Sequence, residues 1–360
     1  MKKYFKYCLF VVIVLLSTFT ISSCSDWTDV EELDLNNPLI KDLNAKLYAD
    51  YLKNLREYKS KEHNVVLVSF ENTDHPPVKQ GERLTTIPDS IDIICLNNPK
   101  DLNAIIQKEI EQIREEKGTK TVYNISYDEF ESTWKEMIKE NPKLTENDAL
   151  KFIEEQTEAM LSLCYKYNYD GIIADYTGRS LVSLRPQELA MYNARQQSFF
   201  NKIISWKSSN EAKIAVFYGN AQYLVPENMG MMNSYDYIIL KSALSTNGED
   251  LSLKAYLALQ AGIDSQEGES EIANPIPNDR FIGCVQLPQA DDKNQVIGYW
   301  NTRVNGEKTI AAYGASEWVV EESPNFVRSG IFMLNIHSDY YQKDTYKIVR
   351  DAISIMNPNK

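Results

Sequence analysis

Histidine is scarce in this chain, with three in 360 residues: His63, His75 and His337. None stands in a ligand-like pair, so an imidazole-held catalytic metal has no obvious donors. Cysteine offers no more. Of the five, Cys95, Cys164 and Cys284 each sit inside an apolar run, an odd set without the spacing of a disulfide framework or a thiolate metal site. No glycine-rich phosphate loop follows the first apolar strand, which argues against a nucleotide-binding sheet. Neither a metal nor an organic cofactor is expected. Basic charge is short as well: 38 Lys and Arg against 51 Asp and Glu leave a formal net charge of -13. No basic patch exists to displace counterions from phosphates, so nucleic acid is not expected as a partner.

What the chain does have begins at its start. Lys2, Lys3 and Lys6 precede "CLFVVIVLLSTFTI", an apolar stretch too short for a confident membrane span and suited to a secretory signal over residues 1–23. The stretch ends in "ISSC", which resembles the lipobox of bacterial lipoproteins. That pattern implies cleavage before Cys24 and lipid on its sulfur and new amino terminus, an anchor made durable by several acyl chains. Cys8 would leave with the signal. Asp26 and Asp29 resemble the surface-export tag of some Gram-negative lipoproteins, so the expected location is the outer membrane, facing outward. Residues 24–45 are polar and aperiodic and read as lipidated cysteine plus flexible tether. Residues 46–360 read as one folded domain.

That domain alternates short apolar strands with helical stretches. "KLYADYLKNLREYKS" opens it with apolar residues at helical spacing. Strand candidates then centre near Val65, Ile93, Val122, Ile173, Val216, Ile238, Ile282 and Phe332. Thr145 with Asp148 makes a capping pair for a long helix before the fourth strand, and "PQELAMYNARQQSFFNKIISWK" supplies another after it. Eight strands that are apolar on both faces suit a closed parallel (β/α)8 barrel of the TIM type, whose strands touch both a packed interior and a helical jacket. An open doubly wound sheet is the alternative. The spacing is uneven: after the seventh strand, an excursion carries Asn305-Gly306, a pair made for a tight hairpin turn.

The fourth strand, "YDGIIADYTGRS", carries a resemblance. Glycoside hydrolase family 18 writes its active-site strand as Asp-Gly-x-Asp-x-Asp-x-Glu. Here Asp170 and Gly171 match, Ile173 stands at the first inner aspartate, Asp175 matches the second, and Thr177 stands at the catalytic glutamate. "LREYKSKEHNVVLVSF", "EKTIAAYGASEW" and "GIFMLNIHSDYY", with Asn335, Asp339 and Tyr340, resemble the first-strand lead-in, the last helix and the eighth strand of the family's endo-β-N-acetylglucosaminidase-type lipoproteins.

The resemblance implies a retaining mechanism in which the substrate's acetamido oxygen is the nucleophile, the glutamate protonates the leaving oxygen and the inner aspartate steadies the acetamido group. A threonine hydroxyl holds its proton too tightly for that task, and losing general-acid help costs about 10²- to 10⁴-fold in rate. The first expectation is therefore a lipoprotein that binds N-acetylglucosamine-containing oligosaccharide without cutting it, serving a neighbouring importer or active hydrolase. The alternatives are an active endo-β-N-acetylglucosaminidase whose acid is displaced to Glu71 or Asp128, and a structural or protein-binding lipoprotein. Sugar sites pair aromatic faces with a few amides and carboxylates. The expected contacts are Asp175, Tyr176, Thr177, Tyr127, Tyr218, Asn97, Gln286 and Asn335, with Asn98, Asn220, Tyr223, Trp300 and Trp318 as further candidates near strand ends.

Overall fold

The computed structural model describes residues 43–266, 274–289 and 291–358. The signal, Cys24 and most of the tether lie outside the described residues. Contacts divide the chain into two units, residues 1–51 and 52–360. Of the first, only the opening of helix α1 (Ala45–Lys59) is described, where Asn44 accepts the Leu47 N–H at 3.0 Å.

The second unit is a closed parallel barrel. Its staves are β1 (Val65–Phe70), β2 (Ile93–Leu96), β3 (Lys120–Ser126), β4 (Gly171–Tyr176), β5 (Ile214–Gly219), β6 (Tyr237–Leu240), β7 (Phe281–Gln286) and, after an antiparallel pair β8 (Tyr299–Val304) and β9 (Glu307–Ile310), β10 (Arg328–Leu334). All eight staves coincide with the strands expected from apolar runs. The open doubly wound alternative falls, because β1 pairs with both β2 and β10 and leaves no edge.

The jacket is less regular than the sequence suggested. Helices α2 (Ala104–Lys117), α3 (Tyr127–Glu140), α4 (Glu146–Lys166), α5 (Pro186–Ser209), α6 (Gly248–Asp264), α7 (Ala311–Val320), α8 (His337–Tyr340) and α9 (Lys347–Met356) cover the staves. Two connections carry only 3-10 turns: Gln80–Glu82 and Leu84–Thr86 before β2, and Ala221–Tyr223 and Pro226–Ser234 before β6. Between β3 and β4 there are two helices. The Thr145 hydroxyl and the Asp148 carboxylate cap α4 reciprocally, as expected. "EKTIAAYGASEW" is strand before it is helix, since Glu307–Ile310 pairs with β8 and α7 begins at Ala311. The β8–β9 turn is the Asn305-Gly306 pair, both with positive φ, 52° and 87°, as a two-residue hairpin turn requires.

Side chains alternate along each stave, so one set fills the barrel and the other meets the helices. The inner set includes Leu67, Cys95, Val122, Ile173, Val216, Ile239, Cys284 and Phe332, all fully buried. The outer set, including Tyr123, Tyr176 and Phe217, joins the larger core under the helices. This alternation decides which residues can reach the mouth.

Candidate functional site

Carrying the inner positions forward to the carboxyl ends of the staves places Glu71, Asn97, Asn124, Ser126, Asp175, Thr177, Tyr218, Lys241, Gln286 and Leu334 around the mouth. In barrels of this kind the mouth at that end hosts the chemistry.

The mouth has two unlike sides. On the β4–β6 side, the register sets Asp175 beside Tyr218 and Tyr218 beside Ile239. One step beyond Leu240, Lys241 swings inward, and its ammonium pairs with Asp175 Oδ1 while lying 4.0 Å over the Tyr218 ring. Only 20% of the Lys241 side chain and 17% of the Asp175 side chain reach solvent, so both charges are largely withdrawn from water and depend on each other. Burial pushes the Asp175 carboxyl above its usual range, and the ammonium opposes that rise. Below them Tyr218 is buried, its ring edge-on to Phe332 and its hydroxyl accepting from the Cys284 thiol at 3.5 Å. Burial also pushes that hydroxyl far up, so it stays protonated.

On the β1–β3 side the mouth is open. A groove of about 770 Å³ runs over the strand ends, lined by Glu71, Asn97, Asn124, Ser126 and Glu129, with Phe130 and Met160 supplying apolar surface. Asn72 and Asn98 brace its wall through a reciprocal set: Asn72 Nδ2 donates to the Asn98 carbonyl at 2.7 Å, Asn98 Nδ2 to the Asn72 carbonyl at 2.6 Å, and the Asn98 N–H to Asn72 Oδ1 at 3.0 Å. A second cleft of about 460 Å³ lies across the first turn of α3, between Asp128 and Arg179.

The sequence matches the profile of glycoside hydrolase family 18, BT1044-like, over residues 28–355. The chain belongs to that family. Among solved structures, a selenomethionine glutamate-to-glutamine variant of BT1044 has a TM-score of 0.62 at 15% identity, covering 88% of this chain and 95% of that one. The apo endo-β-N-acetylglucosaminidase of Cordyceps militaris has a TM-score of 0.56 at 16% identity, with 86% and 96% covered. A double variant of that enzyme in complex with fucosyl-N-acetylglucosamine-Asn has a TM-score of 0.55 at 16% identity, with 85% and 95% covered. At such identities the likeness speaks for the fold alone. No curated protein matches the sequence.

Laid on this family-18 barrel, the five motif positions separate by depth. Asp170 lies just before β4, at the opposite end from the mouth. Its Oδ1 accepts from Arg114 Nε at 2.8 Å and its Oδ2 accepts the Thr121 N–H at 2.8 Å, so it ties β4 to α2 and β3. Gly171 follows because a Cβ there would strike the Ile214 carbonyl. Ile173 is fully buried in the barrel's inner layer. Asp175 faces Lys241. Thr177 is exposed at the mouth; its N–H donates to Asp128 Oδ2 at 3.0 Å and its carbonyl accepts from Asn220 Nδ2 at 2.9 Å.

Several expected contacts lie elsewhere. Tyr176, adjacent to Asp175 on a strand, points the opposite way: it is fully buried, and its hydroxyl accepts from Gln196 Nε2 at 2.6 Å and bonds the Tyr192 hydroxyl. Tyr127 packs against Tyr176 and Phe199 and donates to Glu131 Oε1 at 3.1 Å. Both are corrected from sugar contact to helix-layer core. Trp318 and Trp300 are buried, Trp318 donating to Ser252 Oγ at 2.9 Å and Trp300 packing on Gly314. Tyr218 faces the axis, but Lys241 covers its ring. Asn335 takes a left-handed φ of 62° after β10, and its N–H donates to Ser69 Oγ at 2.8 Å. Asn97 and Gln286 reach the mouth with amides that make no hydrogen bond to the described residues. The two expected displaced acids stand apart: Asp128 holds the Thr177 N–H, whereas Glu71 is exposed beside His337, 3.9 Å from its Nε2.

The residue that sequence reasoning passed over is Lys241. Its signal was available: on a stave whose inner positions are Tyr237 and Ile239, the next inner position is 241.

Proposed function

We propose that the protein is a surface lipoprotein of a Gram-negative outer membrane, anchored through Cys24, that binds N-acetylglucosamine-containing oligosaccharide without hydrolysing it. The observation that carries this reading is the state of the fourth stave: an alcohol at the mouth, isoleucine behind it, and between them an aspartate already paired with a lysine. Proton donation from residue 177 is closed by the chemistry of the alcohol. Help from Asp175 to the acetamido N–H is opposed by its existing partner, since a carboxylate already held by an ammonium accepts a further hydrogen bond less strongly.

Binding is supported by the open groove, the unoccupied amides of Asn97 and Gln286, and membership of a family among whose solved relatives is one complexed with fucosyl-N-acetylglucosamine-Asn. An anchored binder would pass its glycan to a neighbouring importer or hydrolase. The open groove also favours a small ligand over a purely protein-binding role.

A second reading keeps one specific support. Asp128 Oδ2 accepts the Thr177 N–H at 3.0 Å, which sets a carboxyl beside the position where the family motif has its acid. Calorimetric titration with a chitobiose-core N-glycan, beside chromatography of the same mixture, separates the two. Binding with the glycan intact is expected. Turnover abolished by Asp128→Asn would establish the second reading instead.

A further inference from the structure

The geometry points to a sugar site set off the barrel axis: carbohydrate lies in the groove over β1–β3, its hydroxyls met by Asn97 and Asn124 and its apolar ring face by the half-buried Met160, and the ligand is a neutral oligosaccharide. This rests on the glycan-binding reading above and gives it a place and a charge.

Three observations converge on it. The β4–β6 side of the mouth is filled by its own side chains, because an aromatic face with an ammonium 4.0 Å above its centroid has no room to stack on a pyranose. A ligand entering there would have to break the Lys241–Asp175 pair and leave one charge uncompensated. The β1–β3 groove needs no such rupture. Its 770 Å³ falls within the roughly 300–1,000 Å³ usual for small-ligand sites, and an apolar floor with a few convergent polar groups is the usual lining.

Its polar groups are free and held in place. Asn97 is exposed and its amide makes no hydrogen bond to the described residues; Asn124 Oδ1 accepts only a thiol contact from Cys95 at 3.7 Å. The Asn72–Asn98 lattice fixes the wall behind them, which lowers the ordering cost of binding. The rim then sets the charge. Glu71, Asp74, Asp101 and Glu129 face a single lining cation, Lys100, and an acidic rim repels sialylated, sulfated or uronic sugars while leaving neutral ones unaffected.

The test is titration of the full chain with three probes, N-acetylchitotriose, mannotriose and a sialylated trisaccharide, on wild type, Asn97→Ala, Asn124→Ala and Glu129→Lys. A neutral probe should bind, and Asn97→Ala should weaken it about tenfold, the scale of one lost hydrogen bond. Its urea midpoint should not move, because the side chain holds nothing in the fold. The sialylated probe should bind several-fold more weakly than the neutral one, and Glu129→Lys should narrow that gap. If N-acetylchitotriose binds wild type and both asparagine variants equally, the groove assignment is overturned and the glycan-binding reading stands. If mannotriose alone binds, and does so through Asn97, the groove stands and the N-acetylglucosamine reading falls. Failure of every neutral probe overturns both, and equal affinity for the sialylated probe overturns the charge selection.

Discussion

Replacing Lys241 with methionine keeps most of the aliphatic stem over Tyr218 and removes the ammonium that faces Asp175. Removing one partner of a fully buried pair costs about 3–5 kcal/mol. Here the two side chains retain 20% and 17% exposure, so some water reaches the orphaned carboxylate and a loss of about 2–3 kcal/mol is expected near neutral pH. The pH dependence follows from the direction of the shift. Burial already raises the folded Asp175 above its ordinary value, and without the lysine it rises further. The folded state then binds its proton more tightly than the unfolded chain does. The carboxyl costs nothing below the unfolded value of about 3.9, and stability falls as pH climbs through the folded value. Urea unfolding at about pH 7.5 should therefore show the full deficit of the variant, and at about pH 4.5 a clearly smaller one. Equal deficits at both, or a neutral-pH loss below about 0.5 kcal/mol, the scale of an ordinary surface change, would refute the idea that these charges depend on each other.

Other outcomes follow from single positions. Gly330→Ala should cost more than about 3 kcal/mol or yield no soluble protein, because φ is 152° and a Cβ would meet the Val65 carbonyl. Gly306→Ala should cost only about 1 kcal/mol, since its φ of 87° is unfavourable but open space surrounds it. Asp170→Asn should lower the urea midpoint by loosening Arg114 and the Thr121 N–H while leaving glycan affinity intact, as its side chain lies at the far end of β4. Cys164 and Cys284 are buried and pushed up to about 11 and about 12, so both should resist an aromatic disulfide reagent in the native protein and react on unfolding; fast native labelling of either would contradict that burial. Thr177→Glu alone should give no detectable glycan release by chromatography, because Ile173 and the Lys241–Asp175 pair remain.

The staves were legible because a barrel strand is apolar on both faces, and eight such runs stand out from their surroundings. The hairpin was legible from Asn305-Gly306 and the start of α4 from Thr145 and Asp148, where one local bond dictates one residue type. The facing of side chains was read less well. Asp175 and Tyr176 were both expected at the sugar, yet neighbours on a strand point to opposite faces, and the apolar run 172–174 ahead of them gave no hint which face was which. Asp170 shares one continuous motif with Asp175 and Thr177, yet a strand rises about 3.3 Å per residue, which sets the two ends of β4 many ångströms apart. In the sequence Lys241 is simply the residue that follows an apolar run. Only closure of the barrel shows that its partner comes from a strand more than sixty residues earlier.

The most direct test of the central claim is mass spectrometry of a high-mannose glycoprotein after prolonged incubation with the purified chain, beside an active endo-β-N-acetylglucosaminidase. The account predicts that the glycans stay on their asparagines while the protein retains measurable affinity for them. Release of glycans cut within the chitobiose core, at a rate comparable to the active enzyme, would contradict it.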